Sequence, residues 1–575
     1  LPFPLLVLRG EDGNGGANGN NASIALAIRP AGLAPSEERV MATAESVPEP
    51  VTWSWRRVRF PVMVLTIATL VVAVVRLLPG DRPDLGSRRI ISVVVAAIAA
   101  LLVFLWFELF SHARGTTRLI VFLIAVLALG GAAGAVRRVE FDGYMTPTVD
   151  WRWNLDRDLA VEQHRQAHAP AAGPALDQIA LAPDDVLEYR GADRTGIMPG
   201  PPLARSWSPA APKQVWRQPV GGGYAAFVTA GPLLVTIEQR RDKEAIVAYL
   251  ADTGAEAWAH SYETLFSEAL GGDGPRATPT VVGDKVYALG AKGMLSCLEL
   301  TTGKPVWAKN ILADDGAKNL DWGMSGSPLV YDGLVVVNPG SQEGGADSRA
   351  LVAYHADTGE IAWKQGQGKA GYASPMLATL AGKRQILSFE GNALASYDAD
   401  GGAELWRAPW KSDFDINAIQ PVVLAGDRVL ISSASGAALY QIKTSDGKWS
   451  AEELWKNRKL KCGYSCPIAY GDHIYGLDDG ILACVELATG KQLWKGGRYG
   501  HGQMLLRGDL LVVLTEKGEL ALVEATPAKF NELGILPAIE GRTWNNPTLR
   551  GNRLFIRNHL EMAAFDLPLA PADDP

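Results

Sequence analysis

Five times between residues 254 and 494 the chain runs through one pattern, a tight turn followed by a tryptophan four residues after the turn glycine. The copies are DTGAEAW ending at Trp258, TTGKPVW at Trp307, DTGEIAW at Trp363, DGGAELW at Trp406 and ATGKQLW at Trp494. Degenerate copies end at Trp455 and near Leu533. Thr-Gly or Gly-Gly supplies the positive-φ residue that a turn between two strands needs. The tryptophan is then expected to lie flat between neighbouring sheets, with its N–H offered to a main-chain acceptor. Short β-like runs separated by turn signals make this region an all-β repeat.

A second pattern counts the units. Strands open after small, polar or aromatic clusters in GYAAFVTAG, RATPTVVGD, MSGSPLVYDG, YASPMLATLAG, AIQPVVLAGD, YSCPIAYGD, GQMLLRGD and WNNPTLRGN. Anchored on Phe227, Pro279, Pro328, Pro375, Pro421, Pro467, Met504 and Pro547, they stand about 46 residues apart, the length of one four-stranded blade with its loops. Eight copies predict an eight-bladed propeller over residues 211–568. Val215-Trp216-Arg217 reads as a Trp strand with no turn before it, and Ala563 to Leu567 as a strand with no Trp after it. Pairing the two closes the ring and removes its open edges.

Upstream, three apolar runs, Val62 to Leu78, Ile90 to Phe110 and Leu119 to Val136, each approach the ~20 residues that cross a bilayer. They predict a membrane domain of three helices over 56–138. Glu108 stands close enough to the end of its run to reach the interface. Residues 1–55 read as disordered, with Met41 a candidate start. Residues 139–210 read as a linker and lead-in with a short helix near Asp156 to His168, and 569–575 as a tail. The arginines are nearly balanced: Arg56, Arg57 and Arg59 favour a cytoplasmic N-terminus, against Arg82, Arg88, Arg89, Arg137 and Arg138. The net charge of −7 gives no reason to expect a nucleic-acid partner.

The turn-Trp repeat resembles the tryptophan-docking motif of the quinoprotein alcohol dehydrogenase-like superfamily, over about 60% of the chain. Within that superfamily the chain is similar to the compact PQQ-like β-propeller repeat proteins. YRGADRTGI at 189–197 looks like their lead-in, and GGDGPRATPT, WGMSGSP and GYASP like their blade starts. The resemblance implies either a binding and scaffolding propeller, with the propeller lipoprotein of outer-membrane barrel assembly as analogue, or a membrane-bound PQQ-dependent dehydrogenase oxidising an alcohol or sugar. The dehydrogenases would bring PQQ with Ca²⁺, and many carry adjacent cysteines and long rim insertions. No two cysteines are adjacent here and the blades are compact, so no cofactor or metal site is established from the sequence. The first reading is preferred: a propeller on the periplasmic or extracellular side of the inner membrane, with membrane lipid and protein partners, as a subunit of a membrane complex.

The blade starts converge on the axis in such folds. They supply the candidate ligand site: Arg276, Asp321, Trp322, Tyr372, Asn417, Gln420, His501, Trp544 and Asn545. The same polar groups serve equally to cap central strands. Cys297 and Cys484 stand six residues before their turn glycines, where other copies have Ala248, Ala353 and Ser396, so a small buried residue is expected there. Cys462 and Cys466 would lie ~13 Å apart if extended, too far to bridge, although Gly463 permits a bend.

Overall fold

Long apolar stretches with no internal polar partner form helices, because a helix satisfies its own main chain. The computed structural model describes residues 55–78, 85–168, 179–208, 210–341 and 348–571. Expectations for residues 1–54, Met41 among them, for Arg82 and for the last four residues lie outside that range. The three helices are α1 (Trp55–Leu77), α2 (Leu85–Phe110) and α3 (Gly115–Ala135). Each is long and apolar enough to cross a membrane, and almost none of their surface is buried by protein. A Leu-, Val- and Ile-rich surface left uncovered in this way requires lipid.

Helix α3 runs without a break into a two-stranded hairpin, β1 (Val136–Phe141) and β2 (Pro147–Trp151), followed by α4 (Arg157–Ala167). The side chain of Asp156 caps α4 by accepting from the Asp158 and Leu159 amides at 3.0 and 3.2 Å. The hairpin was not anticipated from the sequence, which reads as linker there.

Eight four-stranded antiparallel sheets follow, forming an eight-bladed propeller. Strand β3 (Lys213–Pro219) completes the last blade by pairing with Glu561–Asp566, Trp216 opposite Ala564. The ring is closed as the sequence predicts.

The docking tryptophans explain why the blades hold together. Trp216, Trp258, Trp307, Trp455 and Trp494 each donate their N–H to a main-chain carbonyl of the next blade, at 2.7–3.0 Å. The turn glycine of that blade lies on the ring: Gly359 has φ +68° and a Cβ there would stand 2.7 Å from Trp307. Two copies depart from the expected bond. Trp406 donates to Gln385 Oε1 of its own blade, and the Trp363 N–H has no acceptor among the described residues. In the seventh blade the tryptophan register is taken by Gly534, opposite Leu522, and the ring is supplied from outside by Trp207 of the lead-in.

The residue facing the tryptophan across the sheet is small in the five regular copies, whereas Trp455 faces Leu439. Ala248, Cys297, Ala353, Ser396 and Cys484 pair with Trp258, Trp307, Trp363, Trp406 and Trp494. All four cysteines are buried free thiols, so Cys462 and Cys466 are not bridged.

Candidate functional site: the sealed axis

An antiparallel meander puts every blade-start loop on one face of the ring, together with the turns between second and third strands. We term this face the mouth. Here the hairpin tip is seated. The amide of Gly143 donates to Glu516 Oε1 at 2.6 Å, and the Tyr144 hydroxyl to the Asp479 carbonyl at 3.0 Å. A side chain at 143 would overlap the His501 ring, so only glycine fits. Glu516 also accepts from Trp544 Nε1 at 2.8 Å and the His501 amide at 3.1 Å. One buried carboxylate thus joins the hairpin to two blade starts.

The strands of the hairpin are held by charge. Asp273 receives Arg138 and, at 3.0 Å, Arg157. Glu140 meets His559 at 3.1 Å, and Arg542 bonds the Phe141 carbonyl. Arg165 on α4 clamps Glu256 through two bonds of 2.9 and 3.0 Å.

From the other face, residues 185–198 thread up the channel. Arg194 is buried and donates to the carbonyls of Ser327, Pro328 and Pro375 at 3.2, 2.7 and 2.8 Å, with Glu188 at 2.9 Å. Arg190 reaches the Met504 carbonyl and Asn546 Oδ1, both at 3.3 Å. The YRGADRTGI segment is therefore an axial filler, a role its position before the repeat does not reveal.

The nine candidate residues divide into three groups. His501, Trp544 and Arg276 belong to one aromatic and cationic wall: Tyr464 lies 5.3 Å from His501 and 6.5 Å from Trp544, Tyr224 lies 5.4 Å from Trp544, and Arg276 stands over Phe266 and Tyr224. Burial lowers the pKa of Arg276. Trp322 and Tyr372 meet edge to face at 5.9 Å, with Trp322 and Arg276 both bordering Gly271, Asp321 beside them is exposed, and burial pushes the Tyr372 hydroxyl up to about 12. Asn417, Gln420 and Asn545 spend their amide N–H groups on main-chain carbonyls: Glu390 and Gly391, Ser374, and Gly223 and Ala225. They tie blade starts together. Of the groups that seat the hairpin, Asp273 falls in the blade start GGDGPRATPT, whereas Glu516, Asp479 and His559 carry no motif.

Two cavities lie against these elements among the described residues. One of about 270 Å³ lies beside the hairpin, lined by Arg138, Glu140, Glu268, Asp273 and Arg542. The other, about 290 Å³, lies between the lead-in and the fourth to sixth blades. Both fall below the ~300–1,000 Å³ of typical small-molecule sites. Among the described residues no three His, Cys, Asp or Glu side chains converge on one point.

Electrostatics make the hairpin seat sensitive to acid. Burial alone would raise the Glu140 pKa, but the His559 bond and the charges of His559, Arg542 and Arg138 outweigh it and bring the value to about 2, from 4.5. A carboxylate depressed in the seated state stabilises seating above pH 4.5 and loses that contribution as pH falls through 2. Hydrogen exchange of residues 138–149, corrected for intrinsic rates, should show protection falling across that window. Glu140→Gln should flatten this fall, and an unchanged profile would remove Glu140 from the seat.

These features define a class: a membrane-anchored propeller whose axis is closed by its own chain. Residues 199–321 and 242–496 match the PQQ_2 family, described as outer membrane protein assembly factor BamB, and the chain belongs to that family. It is 34% identical over 122 residues to the quinohemoprotein alcohol dehydrogenase ADH IIB of Pseudomonas putida, covering 21% of this chain and 17% of that protein. It is 23% identical over 260 residues to the outer membrane protein assembly factor BamB of Burkholderia pseudomallei, covering 38% and 65%. The chain thus spans less than two thirds of either relative. Among solved structures, the quinohemoprotein alcohol dehydrogenase of Comamonas testosteroni aligns with a TM-score of 0.49 at 13% identity, over 72% of this chain and 85% of that one.

Proposed function

We propose that the protein is a binding and scaffolding subunit of a membrane complex, which recognises a protein partner with the outer surface of its blades. The observation that carries this reading is the occupied axis: the lead-in fills the channel from one face, and the hairpin is seated over part of the mouth at the other. The blade rim stays open. Val306, Ile361, Leu454, Leu493 and Ile535 lie exposed on outermost strands, where an apolar contact with a partner excludes water. The relationship to assembly factor BamB supports a protein partner. Native mass measurement after mild detergent extraction should give a particle heavier than the 61.5 kDa chain, and Leu454→Arg with Leu493→Arg should return it to the single-chain mass. A single-chain mass for the unsubstituted protein would end this proposal.

The 34% match to a quinohemoprotein dehydrogenase keeps one rival, PQQ-dependent oxidation of an alcohol or sugar. Adding PQQ and Ca²⁺ to purified protein should produce neither an absorbance change nor dye reduction; either signal would favour the rival.

We further infer an inner-membrane location with the propeller outside the cytoplasm. Arg89, Arg137 and Arg138, which oppose this in a charge count, are each engaged by the hairpin or its seat: Arg89 with Asp142, Arg137 with Asp150 and Asp156, Arg138 with Asp273. Protease added to spheroplasts should digest the propeller while an N-terminal tag survives. Survival of the propeller would reverse the topology.

A further inference from the structure

The two faces of the propeller differ in chemistry. Turns on the face away from the mouth repeat glycine with an acid or amide: Gly283-Asp284, Asp332-Gly333, Gly426-Asp427, Gly471-Asp472, Gly508-Asp509 and Gly551-Asn552. Mouth-face connections instead expose Leu265, Leu270, Phe414, Tyr464 and Leu560. Phe414 stands out: it is 87% exposed at φ +59°, a conformation that side-chain-bearing residues adopt rarely. An aromatic ring held out in water by a strained loop gains nothing from the fold itself.

The path of the chain brings this face to the bilayer. Helix α3 passes directly into β1, six residues long, so the hairpin tip lies within ~20 Å of the helix end. In the first turns of α2, Arg89 approaches Asp142 at 4.0 Å, bonds Thr146, and lies 5.6 Å from the centre of the Tyr144 ring. The same tip residues are seated on Glu516 and Asp479. The membrane end of the helices, the hairpin and the mouth are therefore stacked with no spacer.

We propose that the mouth face rests on the lipid surface and that Phe414 enters its interfacial layer. A Phe ring on a surface that meets lipid gains by burying its apolar face at the headgroup–acyl boundary. Exposed Arg241, Lys292, Lys318, Lys411, Lys459 and Lys517 on this face suit lipid phosphates, against exposed Asp242, Glu263, Asp314, Asp321 and Glu540 there. On the other face the turn acids Asp284, Asp332 and Asp509 are paired with Lys285, Arg384 and Arg205. The inference rests on the helices spanning the membrane, and the controls separate the two.

Nitroxide labels on Phe414→Cys, Val282→Cys and Ile98→Cys would be compared by power saturation in liposomes of phosphatidylethanolamine and phosphatidylglycerol. The four native thiols are buried, and all three positions are exposed in the protein. Position 98, in α2, reports on lipid, and position 282, at an acidic turn of the far face, reports on water. The ratio of oxygen to water-soluble nickel accessibility at 414 should exceed that at 282 several-fold, with 98 higher still. Equality of 414 and 282 with 98 in lipid overturns the surface contact and leaves the anchoring intact. If 98 also reports water, anchoring and contact fall together.

Discussion

Trp307→Ala should lower propeller stability by about 3–5 kcal/mol, the cost of deleting a large aromatic core side chain. The ring is buried, lies under Gly359 of the next blade, meets Tyr287 at 6.1 Å and donates to the Ala356 carbonyl at 2.7 Å. Deletion opens a cavity between two blades and leaves that carbonyl short of its indole donor. Trp307→Phe should recover most of the apolar burial and lose about 1 kcal/mol, the worth of the hydrogen bond. Trp153→Ala, at an exposed position, should stay within about 0.5 kcal/mol of the parent. Denaturant titration in detergent measures all three. Equal midpoints would deny the tryptophans their role between blades.

Arg194→Ala should cost a similar 3–5 kcal/mol, for another reason. Its guanidinium is the donor for three carbonyls in the channel wall and the partner of Glu188. Truncation removes these bonds at once and leaves buried acceptors with no water to replace the donor. Arg194→Lys should not rescue, because one ammonium cannot reproduce the planar fork that spans neighbouring blades. A wild-type midpoint for Arg194→Ala would mean that the lead-in is held in the ring by something else.

The contrast between these residues shows what was legible in the sequence. Trp307 belongs to a repeat, and repetition fixes position: the turn glycine, the tryptophan and the small residue opposite recur at constant spacing, so blade number and ring closure could be counted. Arg194 and Glu516 belong to no repeat. Gly143 and Glu516 are 373 positions apart, and no local pattern announces a contact of that range. Arg137 and Arg138 looked like flanking charges of a membrane helix because the two roles use the same residue type. Asn417, Gln420 and Asn545 were found as polar groups at the axis, yet only the geometry shows their amides spent on neighbouring blades. In the seventh blade the pattern failed locally because its ring came from Trp207, outside the repeat.

Closure of the last blade has a consequence for the order of events during synthesis. Strand β3 leaves the ribosome first among the propeller strands, but its partner, Glu561–Asp566, emerges last. Until then the growing arc has an unpaired edge at each end, already tethered to the membrane by three inserted helices. The lead-in is made before any blade, so Arg194 is already present when the carbonyls that receive it come together in the channel wall. A chain that stalls short of residue 561 should therefore behave as an open, association-prone arc rather than as a smaller propeller.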